Sequence, residues 1–358
     1  MGHATRCVPV INELRRKNYE VILAADSRPY DFLQEYFPDL ELVRFPGVRI
    51  TYPPGKNMTG KMMARAPHIL LSIYREHRRL KKIIREYDID VVISDNRFGL
   101  WSKEVYSVYM THQVLIKAPE RLHWAEPWLS RVHRWFMNHY DECWIPDLPG
   151  HPNLSGDLGH LYPLPKNSKY TGLLSRFENP KSPNPQIPKS PNLFLLSGPE
   201  PQRTIFEQII LKELAKHPGL EAVILQGLPG DPQQKSPLPG VEMYNHLPDI
   251  DMVRLIREAG LIICRPGYST LMDLAVLGRN AVLVPTPGQT EQEYLARNLS
   301  GTGAFYAMSQ EQFSLDEALR EGAKLAERLR IIENDGALLR DAISSLSERI
   351  RSFRISDY

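Results

Sequence analysis

The sequence predicts an α/β protein of two doubly wound, Rossmann-like domains facing each other across a cleft. Three features lead there. Short apolar runs recur along the chain, at 90–94, 106–110, 192–196, 222–225, 261–264 and 281–285. Runs of that length bounded by turn residues read as buried parallel strands. Amphipathic segments alternate with them, which is the pattern of βαβ units. Residues 178–191 read ENPKSPNPQIPKSP, and prolines so dense favour extended backbone over a packed element. This segment is expected to link a first domain, 1–177, to a second, 192–336. At 358 residues the chain is long enough for both.

Composition narrows the function classes. The formal net charge is +2, which gives no footprint for nucleic acid. Three cysteines, Cys7, Cys143 and Cys264, stand far apart and suit a reducing compartment without disulfides. No run approaches a membrane span and no signal peptide is visible, so a cytoplasmic protein is expected.

Taken in order, MGHATR leads into an amphipathic helix over 7–17, followed by strands at 20–25 and 40–45. A loop at 52–56 precedes a helix over 65–87, whose second half, YREHRRLKKIIREY, is strongly basic. The strands 90–94 and 106–110 end in Asp95-Asn96-Arg97 and Thr111-His112-Gln113. An aromatic-rich helix at 128–139 and a strand at 142–145 follow, and 170–174 closes the first domain. Beyond the linker, the strand 192–196 runs into Ser197-Gly198-Pro199-Glu200 and a helix over 204–216. Strands at 222–225 and 242–244 come next, then His246-Leu247-Pro248-Asp249 and a helix over 252–259. The last helices are expected over 315–329 and 335–353.

The most specific signal lies in 261–298, LIICRPGYSTLMDLAVLGRNAVLVPTPGQTEQEYLARN. Pro266-Gly267 ends one strand, and Ser269 and Thr270 are placed to cap a helix from about Leu271. The strand 281–285 follows, then a second helix with Thr290 as its expected cap. Two βα turns thus leave two helix N-termini at the carboxyl ends of parallel strands, where open α/β sheets bind ligands. Unpaired N–H groups and the helix dipole there favour a diphosphate. An ordinary βαβ unit with a well-capped helix is the plainer alternative.

The turn Arg265-Pro266-Gly267, then Asp273, Val284-Pro285 and Gln292-Glu293, resembles the donor-nucleotide half of GT-B glycosyltransferases. The nearest resemblance is to the family of the N-acetylglucosaminyltransferase of the peptidoglycan lipid intermediate. Asp273 stands where that family carries Glu, and Glu293 where it carries a second Gln. The resemblance implies an enzyme that moves a hexose-type sugar from a nucleotide-diphosphate donor, expected to be a UDP-sugar, to an acceptor hydroxyl. It also implies that the last helix, about 337–355, crosses back onto the first domain.

On that reading Gly267, Tyr268, Ser269 and Thr270 supply donors to the diphosphate, with Arg265 assisting and the Ser197-Gly198 loop on the other side. Asp273 accepts from the ribose, or merely complements the helix dipole. His246 and Leu247 border the base, and Gln292 and Glu293 bond sugar hydroxyls. His3, in a Gly-His pair at the first βα turn, is the candidate base, with Asp95 orienting it. A turn residue near the terminus and a loop-start acid are the respective alternatives. His112 and Gln113, at another strand end, suit acceptor contacts. No cofactor and no metal are expected. Of the two Asp-x-Asp strings, Asp88-Ile89-Asp90 leads into a strand and Asp249-Ile250-Asp251 into a helix, so neither reads as a metal motif.

The expected partners are a nucleotide-sugar and an acceptor that is a small molecule, a glycan or a lipid-linked sugar. Ile69, Leu70, Leu71, Ile73 and Tyr74 precede Arg75, Arg78, Arg79, Lys81, Lys82 and Arg85, a combination suited to an anionic membrane or to a solvated helix face. Two other classes stay open: a nucleotide-sugar epimerase of the same architecture, and a non-catalytic sugar-nucleotide-binding protein. One expectation concerns the first sheet. A doubly wound domain places its first strand centrally and before the Gly-rich turn, whereas this chain begins at that turn. A strand rich in Val, Ile and Phe is therefore expected to precede Met1 in a longer natural protein, and the sheet is expected to show a slot.

Overall fold

The computed structural model describes residues 2–47, 58–118, 120–177, 192–228, 235–325 and 336–356. The expected loop at 52–56 and the linker at 178–191 lie outside the described residues.

The first half runs α1 (Gly2–Arg16), β1 (Leu23–Ala25), α2 (Ser27–Tyr36), β2 (Leu42–Arg44), α3 (Met58–Glu86), β3 (Val91–Asp95) and β4 (Tyr106–Met110). A 3₁₀ turn at Glu120–Ala125 leads to α4 (Glu126–Met137), β5 (Glu142–Ile145), α5 (Asp157–His160) and β6 (Ser168–Tyr170). The second half continues with β7 (Asn192–Leu195), α6 (Gln202–Leu214), β8 (Ala222–Leu225), β9 (Val241–Tyr244), α7 (Asp249–Glu258) and β10 (Leu261–Cys264). It ends with α8 (Tyr268–Val276), β11 (Ala281–Leu283), α9 (Thr290–Ser300), β12 (Phe305–Ala307), α10 (Leu315–Gly322), α11 (Ala337–Ser344) and α12 (Leu346–Ser356).

Every strand pair is parallel. The second half forms one sheet in the order β12-β11-β10-β7-β8-β9. Its order reverses between β7 and β10, so the loops after those strands, Leu196–Pro201 and Arg265–Gly267, open onto the switch point where such sheets hold ligands. The first half carries a four-stranded sheet, β3-β4-β5-β6, and a separate pair, β1-β2. No ladder joins the two among the described residues, so β1 and β3 each pair on one side only.

Helix α1 explains how the two pieces stay together. Ala4, Val8 and Ile11 pack on Leu23, Ala25, Phe32 and Leu33 of the β1–α2 unit. Val10 and Leu14, on another side of the helix, join the large core that holds Val108, Trp144, Leu193, Leu271 and Ile343. Each such side chain contributes about 1.5–3 kcal/mol when fully buried. That core crosses from one domain to the other. Helices α11 and α12 lie against β6, β4 and α1 of the first half. Lys169 Nζ donates to Ser345 Oγ at 2.9 Å, and Arg349 and Arg354 pair with Glu142 and Asp90.

Several local expectations are corrected. The first helix begins at Gly2, not Cys7, and carries Pro9 inside it. Helix α8 starts at Tyr268 with Gly267 as its N-cap, so Ser269 and Thr270 lie within the first turn. Gln289, not Thr290, caps α9, and Thr290 Oγ1 bonds Lys117 O at 3.0 Å instead. The stretch 170–174, expected to close the first domain, begins at the last residue of strand β6, and the last helix is divided at Ser345.

Candidate active site

The first turns of α1 and α8 meet in the cleft. Ser269 Oγ donates to Gly2 O at 2.7 Å, and a Cβ on Gly2 would stand 3.0 Å from that hydroxyl. Only glycine fits so close an approach without displacing Ser269. His3, one residue on, is 56% exposed. Its Nδ1 lies 3.0 Å from Asp95 Oδ2, at the carboxyl end of β3.

Beneath this pair is a buried polar cluster. Arg6 Nε donates to Asp95 Oδ2 at 2.8 Å, and Arg6 Nη2 pairs with Asp95 Oδ1. Arg6 Nη1 lies 2.9 Å from His112 Nδ1, and His112 Nε2 lies 2.9 Å from Glu291 Oε1 on α9. The His112 ring stacks on Tyr268, 4.0 Å between centroids at 10°. The cluster therefore draws on α1, β3, the loop after β4, and the first turns of α8 and α9. Burial opposes the charge on Asp95, but Arg6 and then His3 outweigh it and hold the carboxyl well below its usual range. Burial lowers His112 against the opposing pull of Glu291. Burial likewise opposes Glu291, and His112 first, then His3 and Arg6, leave it lowered.

A second cluster lies toward the other end of α8. Asp273 stands in the second turn of that helix, not the first, and accepts from Ser175 Oγ at 2.6 Å. Arg176 pairs with Asp249 at 3.1 Å, and Tyr36 OH donates to the same carboxylate at 2.8 Å. His246 is half-buried, and its pKa is lowered by burial and then by Arg176; Leu247 is buried. Burial pushes Asp273 up to about 7, against Arg176 and the Ser175 hydroxyl. Its folded state thus binds the proton more tightly than the unfolded chain. The associated stability is fully present below about pH 4, the ordinary carboxyl range, and is lost as pH rises through 7. Asp273→Asn keeps the acceptor for Ser175 and is expected to remove this slope, gaining about 1–2 kcal/mol at pH 8. Urea midpoints at pH 4 and pH 8 check it.

The remaining expected residues divide between loop supports and open loop. Gln292 Oε1 accepts from Thr286 N at 2.9 Å and Glu293 Oε1 from Gly288 N at 2.8 Å, so both clasp the β11–α9 loop. Ser197 is half-buried and Gly198 exposed at φ +105, with open space around it. Gln113 is half-buried beside His112, which has both ring nitrogens engaged. Arg265 is not at the cleft surface. It is fully buried, donating to Val284 O at 2.9 Å, Pro285 O at 3.0 Å and Gln202 O at 3.2 Å, and pairing with Gln310. Tyr268 is buried too, with its hydroxyl on Pro146 O at 2.8 Å. Both Asp-x-Asp strings have a carboxylate engaged by protein, Asp90 by Arg354 and Asp249 by Arg176.

Arg6, Glu291 and Ser175 were not foreseen. Arg6 had a signal, since it lies at i+3 from His3 on one helix face. Glu291 reads in sequence only as an acid in a first helical turn, and Ser175 carries no signal.

Residues 193–348 match the glycosyltransferase family 28 C-terminal domain, and residues 1–117 match glycosyl transferase family 1. The chain is a glycosyltransferase of the GT-B fold. The enzyme is 23% identical over 366 residues to the UDP-N-acetylglucosamine–N-acetylmuramyl-(pentapeptide) pyrophosphoryl-undecaprenol N-acetylglucosamine transferase of Neisseria meningitidis, covering 99% of this chain and 92% of that one. The protein of the same name from Actinobacillus pleuropneumoniae is 21% identical, over 87% of this chain and 83% of its own. In fold the glycosyltransferase resembles the spinosyn rhamnosyltransferase SpnG, at TM-score 0.61 and 16% identity, covering 100% of this chain and 97% of that chain. It also resembles MurG of Acinetobacter baumannii, at TM-score 0.53 and 14% identity, covering 96% of each chain. These matches are to transferases, and they favour neither the epimerase nor the non-catalytic alternative.

Proposed function

We propose that this glycosyltransferase moves a hexose-type sugar from a UDP-sugar to a hydroxyl of a lipid-linked acceptor, without a metal, with His3 as base and Asp95 orienting it. The observation that carries the reading is the 3.0 Å contact of His3 with Asp95, beside the start of α8. With its proton on Nδ1 and directed at Asp95, the imidazole presents a free Nε2. That nitrogen takes the acceptor hydroxyl proton as the oxygen bonds the anomeric carbon. The bond from that carbon to the diphosphate breaks, and its electron pair leaves with the phosphate oxygen. The N–H groups in the first turn of α8 receive the developing charge. Asp273 and the backbone near Leu247 face the nucleoside.

The UDP assignment follows the relatives' names, and thermal shifts with UDP-, GDP- and TDP-sugars test it. UDP-N-acetylglucosamine is expected to raise the melting temperature most, by mass action on the folded form. Turnover is expected to persist in EDTA; reversible loss would overturn the metal-free reading.

A lipid-linked acceptor is supported by one face of the first domain. No helix among the described residues is long and apolar enough to cross a membrane. Leu70, Leu71 and Tyr74 of α3 are nevertheless exposed, as are Trp124, Trp128, Val132 and Trp135 on and just before α4. The side chain of Ile69 lies outside the described residues. Ring contacts of 4.4–4.6 Å run from His77 of α3 through Trp101 and His139 to Trp135, so the two helices share this face. Arg75, Arg78, Arg79, Lys81, Lys82 and Arg85 are exposed along the same helix α3. Exposed tryptophans flanked by cations suit the headgroup layer of an anionic bilayer. Sedimentation with phosphatidylglycerol vesicles at low salt is expected to carry the protein down. The Trp124→Glu, Trp128→Glu pair is expected to weaken that binding at least about tenfold while leaving the melting temperature unchanged.

A further inference from the structure

Arg6 touches nearly every member of the cleft cluster, although the chemistry assigned above does not use it. It is 2% exposed. A guanidinium only donates. His112 Nδ1, 2.9 Å from Arg6 Nη1, must therefore accept, which places that ring's proton on Nε2, facing Glu291. His3 is different. Its Nδ1 lies 3.0 Å from Asp95 Oδ2, which can only accept, and 2.9 Å from Arg6 Nη2, which can only donate. One nitrogen cannot satisfy both. Protonated on Nδ1, the ring bonds Asp95 and bares a lone pair on Nε2. Protonated on Nε2, it accepts from Arg6 and has no lone pair to offer an acceptor hydroxyl.

We propose that Arg6 is a positioning residue that sets the tautomer of His3, by competing with Asp95 for its Nδ1. The inference rests on the reading of His3 as the base. The other groups around the pair are Cys7, whose Sγ is 3.8 Å from Asp95, then His112 and Glu291, with Tyr268 stacked on His112. Cys7 is held protonated by burial, since its pKa is raised. By competing for Nδ1, Arg6 holds back the Nδ1–H form, the one that bares a lone pair on Nε2 for the acceptor hydroxyl.

Arg6→Met and Arg6→Lys test this in the full chain. The two His3 ring nitrogens are read by ¹⁵N NMR, assigned with His3→Ala, alongside UDP release from UDP-N-acetylglucosamine. In Arg6→Met the Nδ1–H tautomer of His3 is expected to gain population, because only Asp95 then faces Nδ1. Arg6→Lys keeps a cation under Asp95 but loses the fork that reaches both Asp95 and His3, so it is expected to shift the tautomer in the same direction. It decides the matter if Arg6→Met does not melt cooperatively. An unmoved tautomer overturns the proposal, as does failure of both variants to fold. Full turnover in His3→Ala removes the base reading instead, and leaves the effect of Arg6 on His3 to be read from the spectra alone.

Discussion

His3→Ala is expected to lower turnover by about 10²–10⁴-fold, the usual worth of a positioned general base. The melting temperature should not move, because the ring is more than half exposed and packs in no core cluster. Donor affinity should also hold, since the first turn of α8 and the Ser269–Gly2 contact are untouched. Turnover and donor titration on the same preparation check this. Retained turnover would take His3 out of the chemistry. Asp95→Asn is a poorer test. It leaves the buried Arg6 guanidinium without its carboxylate, and breaking a buried pair in this way costs about 3–5 kcal/mol, enough to confuse lost chemistry with lost fold.

The second large effect is on stability. Arg265→Met is expected to destabilise the second domain by about 3–5 kcal/mol. The guanidinium serves three backbone carbonyls and Gln310, and lies 4.1 Å above the Phe206 ring. Removing it strands acceptors that are mostly buried, at about 1–3 kcal/mol for each one left unpaired, before relaxation. Against a typical domain stability of about 5–15 kcal/mol, this is a large fraction. Arg265→Lys should not rescue it, because one ammonium cannot reproduce the planar fork. Urea unfolding measures the loss. A variant that melts like the parent and only binds donor less well would restore Arg265 to the diphosphate.

That contrast shows what could be read from residues alone. The alternation of apolar runs and amphipathic segments carries five of the six strands of the second sheet, because parallel strands buried on both faces leave a continuous apolar signature; the three-residue edge strand β12, Phe305–Ala307, leaves too short a run to be read. The turn at Arg265-Pro266-Gly267 was legible as a turn, but the direction of its arginine was not. A guanidinium aimed inward at Val284 and Gln310 and one aimed outward at phosphate have the same sequence. The nearness of His3 and Asp95, 92 residues apart, was expected only by analogy of fold. Their dependence on Arg6 and, through His112, on Glu291 needs both domains in place. Caps failed for the same reason. Ser269 looks like a helix cap, but its hydroxyl is spent on Gly2, 267 residues away.

The division of the first sheet has a consequence for handling this protein. Among the described residues strands β1 and β3 each carry a ladder on one side only, and Val91, Val92 and Ile93 are only half-buried. Such an open, β-branched edge recruits extended chain from other molecules. Concentrated solutions should therefore self-associate through β3 in register-tolerant stacks, visible as thioflavin-positive scatter that grows with concentration. Scatter that stays flat as concentration rises would count against it.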